Sequence, residues 1–416
     1  MTMVGIEAMG FYGGRAFLDV GDLAVARGLD PMRFENLLMR RKSLAMPFED
    51  AVSFAVNAAG PLVDRLDAAE RARIRLLIVA SESGIDFGKS MGAHVHQHLG
   101  LDARCRQFEI KQACYGGTAA LRMAQAWVAS EGRAIPGGGR ALVVSTDLGR
   151  PVRHSYAEPS QGSAAIALLV GPEPRILALE PGASGVHSFE VGDACRPTPD
   201  IETGDADLSL MSYLTCVEQA FAGYREAVGE VSFTGHFSGL AFHTPFGGMV
   251  KGAHRTLMRK LGNGAGPEIE ADFAARLMPS LTYCREVGNI YSGTVFLALA
   301  GALDPLVERP GARVGLFSYG SGCCSEFYSG VVPDGAEAAL EAAGVADALA
   351  GRHRLSVERY DTLLATTPSL AGVRDATVGR AVADGAAADL YDAAFARERL
   401  LVLDRVEGYR RVYAWS

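Results

Sequence analysis

Three residues have side chains that can together transfer an acyl group and form a carbon–carbon bond. Cys114 can accept an acyl group as a thioester. A thioester acidifies its own α-carbon, and the Glu82 carboxylate can remove that proton if a partly desolvated site raises its pKa. His243 can hydrogen-bond the carbonyl of a second substrate and stabilise the alkoxide that develops there. Asn289 and Ser321 are expected to supply further donors, and the backbone N–H groups of Cys114 and Ser321 are candidates for an oxyanion hole.

Cys114 lies between two different sequence patterns. Residues 105–110 are predicted to be extended, and apolar residues at helical spacing begin at Ala119. Unpaired N–H groups and the dipole at a helix N-terminus favour a thiolate over a thiol. Gly116 and Gly117 remove side-chain bulk, so we expect a substrate to approach the backbone closely there.

Glu82 and His243 each follow a predicted strand. The apolar run 74–80 is typical of a buried strand, and residues 239–242 form a second predicted strand. Reacting groups in α/β sheets collect at the carboxyl ends of strands. Each residue alone has a plainer interpretation: a buried structural cysteine, a solvated loop carboxylate, a structural histidine or, for Asn289, a helix cap. Their shared position at strand ends favours a joint active site.

Composition limits the class of protein. The chain has 416 residues, 49% hydrophobic and 21% charged, which is typical of a soluble globular protein with a large core or two fused domains. A net charge of -8 without a long basic run argues against nucleic-acid binding. Seven scattered cysteines and no signal-like N-terminus indicate free thiols in the cytoplasm, and no apolar run is long enough to span a membrane.

A metal site is not expected. His94, His96 and His98 alternate on a predicted helix, where His94 and His98 share a face and His96 points away. No acidic or cysteine partner at ligand spacing completes a site.

Strands and helices alternate in both parts of the chain, which predicts an α/β fold with an internal duplication around one continuous sheet system. The expected N-terminal half is residues 1–171, with Glu82 and Cys114. The C-terminal half is residues 172–416, with His243, Asn289 and a helical extension after about residue 334.

Five motifs together resemble 3-hydroxy-3-methylglutaryl-CoA synthase, and they occur in that family's order over nearly the whole chain. They are Glu82 in Glu-Ser-Gly-Ile-Asp, Cys114 in Ala-Cys-Tyr-Gly-Gly, His243 in Phe-His-Thr-Pro-Phe, the Gly-Asn-Ile-Tyr-Ser-Gly segment 288–293 and the Phe-Ser-Tyr-Gly-Ser-Gly segment 317–322. The resemblance implies a thiolase-like five-layer αβαβα fold built from two similar halves, and a homodimer.

The resemblance also implies residue roles. Cys114 is acylated by an acetyl donor, Glu82 is the general base and acid, and His243 binds the β-ketoacyl acceptor. Asn289 helps to hold the acceptor thioester, and Lys251 matches a lysine near the pantetheine arm. A solvated helix lysine is the equally weighted alternative for Lys251.

Non-catalytic segments refine the resemblance. Residues 5–9, 33–40, 46–50 and 57–59 are similar to the homologues encoded with bacterial polyketide synthases. This implies donor and acceptor acyl carrier proteins as partners and β-methyl branching as the purpose of the reaction. No cofactor is expected, because the substrates are carried on the phosphopantetheine of a carrier protein, or on CoA, and a general base can form the enolate.

Three alternatives stay open. The catalytic motifs fit equally a mevalonate-pathway synthase that joins acetyl-CoA and acetoacetyl-CoA. A decarboxylating ketoacyl synthase of the same fold would have no role for Glu82. A catalytically inactive partner subunit would be free to lose Cys114, Glu82 or His243, and all three are present.

Overall fold

The computed structural model describes residues 3–155, 157–198, 201–380 and 385–416. The strands of this part of the chain are β1 Val4–Tyr12, β2 Ala16–Asp19, β3 Arg41–Leu44, β4 Ile74–Ala80, β5 Arg106–Ile110, β6 Arg140–Leu148, β7 Ser163–Gly171, β8 Leu177–Ser188, β9 Ala194–Thr198, β10 Ile201–Gly204, β11 Gly239–Phe242, β12 Arg313–Gly320, β13 Cys324–Val331, β14 His353–Leu355, β15 Ala376–Thr377, β16 Leu401–Glu407 and β17 Arg410–Trp415.

The α-helices of the same residues are α1 Val20–Arg27, α2 Pro31–Leu37, α3 Ala51–Asp64, α4 Ala68–Ala72, α5 Gly92–His98, α6 Gly116–Ala129, α7 Ala206–Val228, α8 Phe233–His236, α9 Gly247–Lys260, α10 Gly266–Asp272, α11 Leu281–Val287, α12 Thr294–Leu303, α13 Ala336–Glu341, α14 Val345–Ala350, α15 Val357–Thr366 and α16 Gly385–Ala394. No helix in these ranges is long and apolar enough to cross a membrane.

One large sheet contains the same strand arrangement twice. Its order in the described residues is β11-β12-β13-β8-β1-β7-β6-β4-β5. In the first half β1 and β6 are antiparallel to β7, and β4 is parallel to β6 and β5. In the second half β8 and β12 are antiparallel to β13, and β11 is parallel to β12. The second half repeats the first without a counterpart of β5, and antiparallel pairing of β1 with β8 joins the two.

The helices and strands form five layers, and three hydrophobic clusters lie between these layers. On one side, α3 packs its buried apolar face on β6 and β7. The central cluster holds α6 and α12 between strands of both halves, joining Leu121 and Phe296 with Ile78 and Leu316. All ten residues of α12 are buried, as a helix covered on every side requires. The third cluster packs α7 and α9 on β12 and β13. The fold is the expected thiolase-like αβαβα arrangement of two similar halves.

The C-terminal region packs back onto the start of the chain. Leu18 of β2 and Leu23 of α1 share a cluster with Leu355, Leu363 and Leu403, and β14 pairs in parallel with β2. The helical extension expected after about residue 334 is present as α13 to α16, and β16 and β17 pair as an antiparallel hairpin.

Candidate active site

A cavity of about 1030 Å³ opens where strand ends of both halves meet. Glu82 follows β4, Cys114 follows β5, His243 follows β11 and Ser321 follows β12. These four residues and Asn289 all line the cavity, so the structure brings five of the six predicted site residues together.

Lys251 is the sixth, and it is not among the described residues that line the cavity. It lies on α9, where Nζ is 2.8 Å from Glu270 Oε2 and 5.6 Å from the centre of the Phe273 ring. These contacts fit the interpretation as a partly solvated helix lysine, and its predicted place beside a pantetheine arm stays a prediction.

A tight loop presents Cys114 just before α6. Ala113 has a positive φ of 43°, and α6 begins at Gly116 rather than near Ala119. The two glycines have a different role from the one expected. A Cβ on Gly117 would lie 2.2 Å from Ser292 O, so this glycine lets α6 pack against the loop before α12. A Cβ on Gly116 would have ordinary contact with Ala80 at 3.7 Å, and neither glycine lines the cavity.

The electrostatics around Cys114 oppose the expected thiolate. Desolvation raises the pKa of the thiol well above its ordinary value, and the nearby Glu82, Asp147 and Glu202 carboxylates raise it further. The short distance to a helix N-terminus does not outweigh several carboxylates in a desolvated site. Burial and these carboxylates therefore favour the neutral thiol, so that attack on an acyl donor would require a base to take its proton.

Asp147, at the end of β6, fixes the loop that carries Glu82. Its Oδ1 accepts hydrogen bonds from the backbone N–H of Glu82 at 2.8 Å and from the hydroxyls of Ser81 and Ser83 at 3.0 Å each. Its Oδ2 accepts from the Ser292 hydroxyl at 2.6 Å. Burial raises the pKa of Glu82 to about 8, and the charge of Asp147 adds to this effect. Glu82 thus titrates near neutral pH, as a general base should.

A hairpin of β9 and β10 adds charged residues that the sequence analysis did not identify. Arg196 on β9 places Nη1 3.5 Å from Glu82 Oε1, and Glu202 on β10 accepts a hydrogen bond from the Tyr291 hydroxyl at 3.0 Å. All four of these side chains line the cavity. The hairpin is short and largely exposed, so it has no apolar periodicity that could have predicted it.

His243 lies almost fully buried at the end of β11. Its backbone N–H donates to Phe317 O at 2.7 Å, and its carbonyl accepts from the Tyr213 hydroxyl at 2.7 Å. Burial lowers the pKa of His243 to about 3, so the imidazole is neutral at physiological pH. Its Nδ1 has no hydrogen-bond partner among the described residues, which leaves the ring able to bind a group in the cavity.

Asn289 and Ser321 also line the cavity. Asn289 Oδ1 accepts hydrogen bonds from Tyr291 N at 3.0 Å and Thr294 Oγ1 at 2.9 Å. These bonds orient the side-chain amide so that its Nδ2 group can donate to a ligand. Asn289 precedes a short 3₁₀ turn and α12. The loop at Ser321 is held by Asp193, whose carboxylate accepts from Gly322 N at 2.9 Å.

The three histidines of α5 are used in packing. His94 and His98 contact the ring of Tyr413 at 5.5 and 5.4 Å, and His96 Nε2 is 3.0 Å from Asp102 O. Across the described part of the chain, no group of three or more His, Cys, Asp or Glu side chains is placed to hold a metal ion.

Comparison with known proteins identifies the family. The family model for the hydroxymethylglutaryl-coenzyme A synthase N terminal matches residues 2–175, and the family model for the hydroxymethylglutaryl-coenzyme A synthase C terminal matches residues 267–371. The polyketide biosynthesis 3-hydroxy-3-methylglutaryl-ACP synthase PksG of Bacillus subtilis (strain 168) is 50% identical over 373 residues, covering 87% of this chain and 88% of that protein. The chain belongs to the hydroxymethylglutaryl-CoA synthase family.

Two other members of this family show the range of similarity. The hydroxymethylglutaryl-CoA synthase of Enterococcus faecalis is 33% identical over 88% of this chain and 92% of its own length. The crystal structure of the curacin biosynthetic pathway HMG synthase in complex with apo donor-ACP superposes with a TM-score of 0.93 at 48% identity, over 100% of both chains. As a family member the chain is an acyltransferase that forms a carbon–carbon bond.

Proposed function

We propose that this enzyme is a carrier-protein-dependent HMG synthase of polyketide β-branching. An acetyl group passes from a donor acyl carrier protein to Cys114, and its methyl carbon is added to the β-keto group of an intermediate on an acceptor carrier protein. The product carries a 3-hydroxy-3-carboxymethyl group. The proposal is carried by the meeting of Glu82, Cys114 and His243 in one cavity. The choice of carrier protein over CoA is supported by 50% identity to an ACP synthase against 33% to a CoA synthase.

The first step exchanges one thioester for another. Cys114 Sγ attacks the donor carbonyl, its thiol proton is taken by a base, and the pantetheine sulfur leaves with a proton. The thiol proton ends on the departing pantetheine sulfur, so the exchange neither gains nor loses a proton and does not require an ionised Glu82. Glu82, with a pKa of about 8, is instead matched to the proton abstraction of the second step. The neutral imidazole of His243 is a much weaker base, because burial lowers its pKa to about 3.

The second step makes the carbon–carbon bond. The Glu82 carboxylate takes a proton from the acetyl methyl group, and the resulting enolate attacks the β-keto carbon of the acceptor. His243 donates a hydrogen bond to the oxygen that becomes an alkoxide, and Asn289 Nδ2 holds the acceptor thioester carbonyl. The alkoxide takes the proton from Glu82. Water then hydrolyses the Cys114 thioester, which releases the new carboxylate and restores the thiol.

The proposed assembly is a homodimer. Strand β5 lies at one end of the large sheet and is half-exposed, so its outer backbone groups lack a strand partner in the described residues. Phe87, in the loop after Glu82, is fully exposed. Proteins cover such edges and apolar side chains, and a second copy of this chain would do so. Light scattering should give twice the 44.0 kDa mass of the chain, and a monomer would contradict this assembly.

We assign the division between the two halves to the connection after Gly171. It falls between β7, the last strand of the first arrangement, and β8, the first strand of the second. The first half then supplies Glu82 and Cys114, and the second supplies His243 and Asn289.

Intact-protein mass spectrometry tests the function. Acetyl-loaded carrier protein and acetyl-CoA are offered in parallel, and any acetyl group is mapped. Fast acetylation of Cys114 from the carrier protein, with slow acetylation from CoA, is expected, and Cys114→Ser should not form the thioester. Efficient acetylation from CoA would favour the mevalonate-type reaction instead, and acetylation at another residue would refute the nucleophile assignment.

A further inference from the structure

The cavity is strongly acidic around the residue that must act as a base. Glu82, Glu202, Asp205 and Asp207 all line it, and the buried Asp147 carboxylate lies directly behind Glu82. Like charges at short range disfavour ionisation of a carboxyl group, and a neutral Glu82 cannot remove a proton. The cavity therefore needs a nearby cation for the condensation step.

Arg196 provides that cation beside Glu82. Nη1 lies 3.5 Å from Glu82 Oε1, and Nη2 donates to the backbone carbonyl of Leu148 at 3.1 Å. The arginine side chain is only 11% exposed and that of Glu82 only 14%, so water screens the pair weakly. Lys111, the other cationic residue among the described lining residues, is exposed.

Tyr291 holds the β9–β10 hairpin, and with it Arg196, over the site. The Arg196 guanidinium lies 5.3 Å from the centre of the Tyr291 ring, and the Tyr291 hydroxyl donates to Glu202 on the adjacent strand. One buried side chain thus contacts both strands of the hairpin. It belongs to the segment 288–293 that also carries Asn289.

We propose that Arg196 is a positioning residue that favours the ionised form of Glu82 and holds its carboxylate in place for proton abstraction. The inference rests on the proposed role of Glu82 as the base of an HMG synthase. The charged and titratable groups facing Glu82 are Asp147 from β6, Glu202 from β10, Arg196 from β9, Cys114 before α6 and Tyr291 before α12. The two carboxylates oppose ionisation of Glu82, and Arg196 alone of this set favours it.

The variants Arg196→Gln and Arg196→Lys test this role in the full-length enzyme. Cys114 is first acetylated with acetyl-loaded carrier protein, and acetoacetyl-loaded carrier protein is then added between pH 6.5 and 9. Arg196→Gln should be acetylated within about twofold of wild type and should condense about tenfold more slowly at pH 7, the effect of raising the pKa of the base by one unit. Its rate should approach the wild-type rate at pH 9, and Arg196→Lys should recover part of the loss at pH 7.

Other outcomes would overturn the proposal. A rate loss of equal size at every pH would show that Arg196 does not act through the ionisation of Glu82. Loss of acetylation as well would indicate a structural role, and accumulation of the condensed adduct on Cys114 would place Arg196 in hydrolysis. Arg313→Gln is the matched control, because it breaks an arginine–carboxylate pair with Glu180 at the opposite end of β12 and should leave both steps unchanged. If wild type itself is not acetylated, the proposed function fails and not the role of Arg196.

Discussion

The carboxylate of Asp147 determines how Glu82 is presented to the cavity. One of its oxygens binds the loop after β4, and the other binds Ser292 beside the Asn289 segment. It therefore ties together two motifs that are more than two hundred residues apart in sequence. Asp147 was not among the residues identified from the sequence, because a carboxylate that accepts hydrogen bonds from donors far away in the chain leaves no local pattern.

Replacing Asp147 with Asn should lower the unfolding free energy by about 2–4 kcal/mol. The reason is that the Asn NH₂ group would face hydroxyl and N–H groups that donate to the Asp147 carboxylate and cannot all accept from an amide. Urea denaturation measures the loss. Asp67→Asn is the control: Asp67 caps α4 from an exposed position, and Asn caps a helix as well as Asp does. Equal effects of the two substitutions would contradict the importance of the buried network.

Glu82→Gln should separate chemistry from stability. The variant should still be acetylated at Cys114 but should not condense. The pKa of Glu82 is raised in the folded state to about 8, so its ionisation destabilises the protein as the pH rises from about 4.5 to 8. Glu82→Gln should therefore exceed wild type in unfolding free energy by about 1–3 kcal/mol at pH 8 and should match it near pH 4. Product formation at the wild-type rate would refute the assignment of Glu82 as the base.

Two glycines allow backbone segments of the two halves to approach each other closely. These contacts bring the secondary-structure elements of the site together. Gly117 on α6 packs against the Ser292 backbone, and a Cβ on Gly320 would lie 2.6 Å from both Gln112 O and Tyr115 N. The strand ends of both halves meet beside Cys114 because these positions carry no side chain. The sequence drew attention to the glycines near Cys114, but the contacts that require them cross between halves and are visible only in the fold.

Two neighbouring glycines of α6 provide a matched comparison. Gly117→Ala should destabilise the protein by several kcal/mol and impair acetylation of Cys114, because the new Cβ would lie 2.2 Å from Ser292 O. Gly116→Ala should be neutral or stabilising by about 0.5–1 kcal/mol, since alanine favours a helix and the site has room. Thermal unfolding and acetylation rates measure both, and tolerance of Ala at residue 117 would show that the helix can shift.

Elements differ in how well their sequence predicts them. Strands β4 and β11 have the predicted bounds because they are buried apolar runs in parallel pairing. Strands β8 and β13 were not predicted, since they mix glycine and polar residues and depend on pairing with each other and with β1. The β9–β10 hairpin was missed because it is short and largely exposed, and with it the partner of Glu82.

The whole molecule is closed by contacts between its N- and C-terminal regions. Arg27 on α1 makes two hydrogen bonds to Glu158, at 2.9 and 2.8 Å, and pairs with Asp361 on α15. The arginine and glutamate side chains are almost fully buried, and Glu158 follows Ala157, which lines the cavity. The helical extension predicted after about residue 334 thus supports one wall of the site.

Arg27→Met should destabilise the protein by about 3–5 kcal/mol, because it leaves the buried Glu158 carboxylate without its charged partner. Denaturant unfolding measures this. Arg15→Met removes the exposed pair with Glu398 and should cost less than about 1 kcal/mol. If both variants lose the same free energy, the buried network does not hold the two ends of the chain together.

The repeated strand order has a consequence for how such an enzyme could have arisen. Strands β4 and β11 occupy the same place in their two halves, and they deliver Glu82 and His243 to the same cavity. Two equivalent strand ends therefore face one another across an approximate symmetry, yet they carry different residues, and in the proposed mechanism one moves protons while the other binds a carbonyl. An ancestor with two identical halves would have presented the same residue twice and could not have treated donor and acceptor differently. The proposed reaction uses a different residue from each half, so it requires both halves and the differences between them.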